Sequence, residues 1–354
     1  MALAPAPAPK TLVQLYQSYT RKTSSVREKL SLPAFSEAQR HLLSEPTYVI
    51  LKKFIAADFE IQREQLRSKP SEICGALVDA LYLLAKDKNL LTYVMLTIDA
   101  IILDDSENVQ MFISNSRANP KRDVIKFLQQ TFTDKDVLYN SSFIESAVRV
   151  FCAILSDFEQ CRNFLLDTKS FLIYITNTFL EKRNMFSDYI VAYAYAHLLM
   201  VPGISTHVIE IKGLKVLMDI MDQNSKDLQT VYFTLVSLWI LSYEHSFQKF
   251  VADPKNLVIS KIVDSLKKLA RDKLIRISLK IFINLASHHE CIMSLIDNNI
   301  SSFLSNELKK NIKDEAVKEN IITIIDILDK KTQMESSWEK YVKELKTEKL
   351  SPGP

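Results

Sequence analysis

The sequence predicts an all-α protein, a solenoid of armadillo- or HEAT-like helical repeats, and three observations carry that prediction. Glycine is scarce, with four in 354 residues, where about 7% is usual. Five apolar segments of helical length recur at a nearly constant interval. Short polar breaks separate them, where a sheet protein would need hairpins built from glycines at positive φ. The chain is 47% hydrophobic, enough to bury a large core or a series of small ones.

The five segments are 91–103 (LTYVMLTIDAIIL), 143–155 (FIESAVRVFCAIL), 189–200 (YIVAYAYAHLLM), 231–242 (VYFTLVSLWILS) and 275–286 (IRISLKIFINLA). Their last residues are 103, 155, 200, 242 and 286, at intervals of 52, 45, 42 and 44. A period of about 40–47 belongs to HEAT and armadillo arrays. The residues after each segment repeat as well. After 189–200 come 205–212 and 214–221; after 231–242 come 247–253, Pro254 and 257–270; after 275–286 come 291–297 and 300–309. The unit is three helices, one central, one short and one long, which favours armadillo over two-helix HEAT geometry.

The faces of these segments agree with the layout. Segment 231–241 is apolar almost all round, so it predicts a helix enclosed on several sides. In 275–286, Arg276, Lys280 and Asn284 fall at i, i+4 spacing and form a polar stripe opposite Ile275, Leu279, Phe282 and Ala286. One side packs and the other meets solvent or a partner.

Boundaries carry turn chemistry: Pro46, Pro70, Pro120, Pro202, Pro254 and Asn224-Ser225 fall between helices. The expected organisation is an Ala/Pro-rich flexible tail at 1–10, capping helices at 11–45, a repeat solenoid at 46–331 and a C-terminal helix with a junction tail at 332–354. No internal linker is long enough to divide the chain into separate globules. Segment 1–10 alternates Ala and Pro and lacks the apolar core of a secretory signal. The longest apolar stretch, 189–201, contains His197 and stops at Pro202-Gly203, short of the ~20 residues a membrane span needs.

Searching for chemistry gives little. Lys plus Arg total 45 against 42 Asp plus Glu, a net charge of +3, which creates no broad field for nucleic acid. Only Gly75, Gly203, Gly213 and Gly353 exist to build a phosphate loop, and neither G-x-x-x-x-G-K-[ST] nor G-x-S-x-G occurs. No catalytic residue, cofactor, metal or small-molecule substrate is expected. Cys74, Cys152, Cys161 and Cys291 are scattered within helical segments and read as buried thiols. His288-His289-Glu290-Cys291 is dense in possible ligands, but adjacent helical residues point about 100° apart, so a polar inter-helix turn is expected there. Asp104-Asp105 reads as a solvated turn, and Lys52-Lys53, Lys267-Lys268 and Lys309-Lys310 as solvated faces. The Trp and Asn ladder of importin-type peptide binding, with Asn four residues after Trp, is missing: Tyr243 follows Trp239 and Val342 follows Trp338 at that spacing.

Three stretches carry a resemblance to a known family. They are 228–242 (LQTVYFTLVSLWILS), 93–105 (YVMLTIDAIILDD) and, most specifically, the polar 336–352 (SSWEKYVKELKTEKLSP). The chain resembles the H subunit of the vacuolar-type proton ATPase (V-ATPase), in order from Val26 to Pro352. The last stretch is similar to the junction between that family's two domains, though it lacks the family's Trp before Ser-Pro. The resemblance implies a non-catalytic regulatory subunit of a proton pump, on the cytosolic face of endomembranes and without membrane insertion. Its implied partners are the E and G subunits of the peripheral stalk, gripped by the N-terminal domain. In that family the C-terminal domain contacts a membrane-anchored subunit of the pump and helps silence released ATPase sectors. The sequence ends at Gly353-Pro354, where that domain would begin, so those properties do not transfer.

Trp338, Tyr341 and Leu345 share one helical face of the tail and are the candidate partner-binding residues, as a hinge toward the pump. The same stripe suits a helix that caps the last repeat. Two other functional readings stay open: an armadillo-type adaptor in trafficking or cytoskeletal complexes, and an enzyme with an unrecognised site.

Overall fold

The computed structural model describes residues 43–347 except 106, 134–139, 158, 159, 183, 184, 225, 270, 311 and 313, with the side chains of 59 and 335–347 also set aside. The expected tail 1–10 and most of the capping region 11–45 lie outside the described residues. Among the described residues the protein is all-helical and divides into two compact units, one up to Ile204 and one from Ser205.

The first unit holds α1 (Glu45–Ala56), α2 (Phe59–Ser68), α3 (Pro70–Leu83), α4 (Lys88–Asp104), α5 (Asn108–Ala118), α6 (Val124–Thr133), α7 (Ser141–Leu155), α8 (Leu165–Glu181) and α9 (Asp188–Leu198). The second holds α10 (Ser205–Glu210), α11 (Gly213–Gln223), α12 (Leu228–Leu241), α13 (His245–Ala252), α14 (Val258–Leu269), α15 (Asp272–Ala286), α16 (His289–Asp297), α17 (Ile300–Leu308) and α18 (Glu315–Thr347). The five apolar segments are α4, α7, α9, α12 and α15. All but α15 start at side-chain caps that sequence marks clearly. Asp87, Asn140, Ser187 and Asp227 each accept a backbone N–H from the first turn of α4, α7, α9 and α12.

Central helices pack directly on one another, α4 on α7 and α7 on α9 in the first unit, α12 on α15 and α15 on α18 in the second. Their apolar girdles explain why. Every residue from Leu90 to Leu103 of α4 is buried, and α12 is buried from Val231 to Leu241 except at Tyr232. Side-chain hydrogen bonds between neighbouring repeats measure the period directly. Asn140 Nδ2 donates to Thr92 Oγ1 across 48 residues, Ser187 Oγ to Glu145 across 42, and Asn284 Nδ2 to Ser242 Oγ across 42. Gln248 pairs with His288 across 40 and Ser294 donates to the Val251 carbonyl across 43.

The turn between short and long helices shows the same register in the backbone. Lys212, Leu257 and Asn299 have φ of 66°, 52° and 54°, and each directly precedes a helix, α11, α14 or α17; α11 and α14 are longer than the helices before them, while α16 and α17 both have 9 residues. Asn tolerates this left-handed conformation, whereas Lys and Leu are crowded at Cβ by it. Gly203, at φ 84° in the turn after α9, has open space where a side chain would begin, so only its backbone angle demands glycine there.

Asp104 departs from the expectation of a solvated turn. Its carboxylate takes both Arg63 Nε, at 2.6 Å, and Arg63 Nη2, clasping α2 to the end of α4. Asp105 does act in the turn, accepting from the Glu107 N–H. The physical reason for the difference is reach, because the Arg63 guanidinium fork meets the first carboxylate while the second accepts within its own turn.

Candidate protein-interaction surface

Polar chemistry in the first unit is turned inward. Arg149 of α7 donates through Nε and Nη2 to Asp99 Oδ2 of α4, at 2.9 and 2.6 Å, and both residues are buried. Burial pushes the Asp99 carboxyl up, and the Arg149 guanidinium pulls it partly back. Tyr195 of α9 shares a 2.6 Å hydrogen bond with Thr176 of α8, and burial raises its phenol well above the ordinary range. His197 is enclosed beside Tyr193, ring centroids 4.1 Å apart, and burial lowers it to about 3. All four cysteines are buried and none is in a disulfide; burial pushes Cys74 up to about 12 and Cys291 to about 11, so neither is a thiolate at neutral pH.

The dense histidine turn is likewise taken up by packing. His288 Nε2 lies 2.7 Å from Gln248 Nε2, His289 Nε2 lies 3.1 Å from Lys331 Nζ, and Cys291 Sγ donates to the Gln248 carbonyl. Among the described residues no group of three or more His, Cys, Asp or Glu is placed to hold a metal ion. No described helix is long and apolar enough to cross a membrane.

The second unit turns different chemistry outward. The stripe on α15 reaches both neighbours: Arg276 pairs with Asp314 at 2.7 Å beside the start of α18, and Asn284 binds Ser242 at the end of α12. Between them the exposed Lys280 sets its ammonium 4.3 Å from the centroid of Trp239 on α12. A cation over an indole is worth about 0.5–2 kcal/mol, depending on exposure. Trp239 is 8% exposed, and its Nε1–H is buried without an acceptor among the described residues. Such an orphan donor costs about 1–3 kcal/mol. On α18, Val317, Ile321, Ile324 and Leu328 form the packed stripe, while Ile322 and Met334 are 47% and 71% exposed.

The candidates Trp338, Tyr341 and Leu345 fall in the last part of α18, whose backbone stays helical to Thr347. Their side chains lie outside the described residues, so the structure brings none of the three to a site. Sequence reading finds Lys280 but misses Trp239 as its partner. The available signal is register: α12 and α15 end 44 residues apart as segments, which sets the two positions side by side on packed helices.

Inward polar groups that tie repeat to repeat, with free chemistry confined to exposed helix faces, define a helical-repeat protein of the armadillo and HEAT kind. The chain belongs to the V-ATPase H subunit family, and the model of that family's N-terminal region matches residues 21–328. The V-type proton ATPase H subunit of Dictyostelium discoideum is 25% identical over 191 residues, covering 53% of this chain and 42% of that protein. The match thus spans less than half the length of that relative. The crystal structure of an engineered protein, a Northeast Structural Genomics Consortium target, aligns with a TM-score of 0.56 at 15% identity, covering 73% of this chain and 96% of that one. That likeness concerns the fold alone. The matched region ends before 336–352, the stretch that resembles the family's junction.

Proposed function

We propose that this chain is a non-catalytic regulatory and structural subunit of the vacuolar-type proton-translocating ATPase. It binds the E and G subunits of the peripheral stalk and supports the coupling of ATP hydrolysis to proton transport. The family match over residues 21–328 is the observation that carries this reading. The helical-repeat fold supports it, because stacked repeats present extended surfaces for a long partner. In this reading the protein sits at the cytosolic face of endomembranes through its complex, without inserting into the bilayer. Trp338, Tyr341 and Leu345, on one face of the last part of α18, contribute to partner binding in the manner of an amphipathic helix. The test is titration of the purified chain with a purified E–G heterodimer. The expected result is a complex with a Kd at or below the micromolar range; no binding at that concentration overturns the stalk assignment.

A further inference from the structure

We propose that the edge of the second unit along which α12, α15 and α18 begin is a docking surface for an acidic amphipathic helix of the partner. This deepens the stalk reading and rests on it. The three helices start at Leu228, Asp272 and Glu315, 44 and 43 residues apart. They pack side by side in register, joined by Asn284 and Ser242 near the ends of α15 and α12 and by Arg276 and Asp314 near the starts of α15 and α18. The turns that lead into them therefore stand next to one another.

Those turns carry an excess of cations. Lys226 precedes α12, Lys267, Lys268, Arg271 and Lys273 surround the start of α15, and Lys309 precedes α18; all six are exposed. The carboxylates of the same edge are mostly engaged. Asp227 caps α12, Asp314 caps α18 and holds Arg276, Asp222 holds Lys261, Glu307 holds Lys310 and Glu315 holds Lys318. Of the exposed carboxylates here, Asp264 and Asp272 are the ones that make no such contact among the described residues. None of Lys226, Lys267, Arg271 and Lys273 has an ion pair among the described residues. Each turn also leaves an apolar side chain partly uncovered: Leu228, 39% exposed, at the first, Leu269 and Ile275 at the second and Ile312 at the third.

Charge and spacing together define the occupant. Packed helices lie about 8–10 Å apart and a helix rises 1.5 Å per residue, so a helix laid across this edge meets a new turn about every six or seven residues. Apolar residues at that spacing share one face, and acidic residues beside them answer the cations. Nucleic acid fits poorly, because 222–228, 264–276 and 307–318 contain no aromatic residue on which bases could stack. An anionic bilayer answers the charge but sets no spacing for the apolar residues.

The experiment compares binding of the E–G heterodimer by the unmodified full chain, by the edge reversal Lys267→Glu/Arg271→Glu/Lys273→Glu, and by an equal reversal in the first unit, Lys53→Glu/Lys121→Glu/Lys126→Glu. Thermal melting is followed for each, and all should melt together because every altered residue is exposed. The edge reversal is expected to weaken binding at least tenfold, while the first-unit reversal stays within about threefold. Raising the salt from about 0.05 to about 0.3 M should weaken binding of the unmodified chain more steeply than that of the edge reversal. If the unmodified chain binds and the edge reversal binds equally well, the stalk reading stands and this surface is overturned. A first-unit reversal that weakens binding as much also overturns it, since overall charge then governs. The same chains are offered phosphatidylserine vesicles and polyuridylate RNA; binding of either that the edge reversal abolishes, with E–G binding kept, overturns the helix as occupant. If the unmodified chain does not bind E–G, the stalk reading has failed and this surface with it.

Discussion

His197 lies inside α9, 3% exposed, between the rings and aliphatic groups that enclose that helix. Burial holds its folded pKa at about 3, against about 6.5 in an unfolded chain. The folded state therefore binds fewer protons than the unfolded one in that interval. The contribution to stability is complete above pH 6.5 and is lost as pH falls toward 3, at up to about 1.36 kcal/mol per unit. Between pH 7 and pH 5 the unmodified chain should lose about 2 kcal/mol more than His197→Leu, read from urea midpoints at each pH. Equal acid sensitivity of the two would show that His197 is solvated. A lone histidine in 189–201 was legible in sequence, but its enclosure was not, because that depends on helices from other repeats. The Arg149–Asp99 pair was hidden for the same reason: the residues stand 50 apart, and each looks like an ordinary charge on its own helix.

At the scale of elements, the helices were the legible part, while their starts lie one to three residues before the apolar segments. Periodic apolar residues set α4, α7, α9, α12 and α15, and the Asp, Asn and Ser caps before the first four are local signals that need no tertiary information. The turns were legible only as breaks. Their left-handed residues are Lys212, Leu257 and Asn299, and glycine, the usual marker, is missing from all three. The angle falls where the chain turns from one helix into the next, over two residues at Lys212 and Asn299 and over five at Leu257. Leu257 is the clearest case: at φ 52° and 57% exposed, it gains little from burial to offset its strain. Leu257→Asn is expected to raise unfolding stability by about 1 kcal/mol, because Asn enters the left-handed region readily. Leu257→Ala keeps a Cβ in the same conformation and should give no such gain in the same urea titration. A rise in both variants would place the cost in the exposed side chain instead of the backbone.

For the molecule as a whole, the question is where folding ends and binding begins along α18. The helix runs 33 residues from Glu315 to Thr347, about 50 Å at 1.5 Å per residue. Its packed stripe of Val317, Ile321, Ile324 and Leu328 lies in the first half, and from Asp329 to Met334 every residue is exposed or half-buried. On the proposed reading, in which the tail binds a partner, stability depends on the first half. A chain shortened to end at Lys331 keeps that stripe and the Lys331–His289 contact. On the proposed reading it is expected to stay within about 1 kcal/mol of the full chain in unfolding stability, because the buried stripe of α18 is retained. The same shortening removes Trp338, Tyr341 and Leu345, and on the proposed reading it should weaken binding of the E–G heterodimer at least tenfold. The two readouts separate the two roles that sequence alone left open for this stripe. A shortened chain that melts early makes the tail a cap on the last repeat. One that keeps both its stability and its affinity removes the tail from the interface.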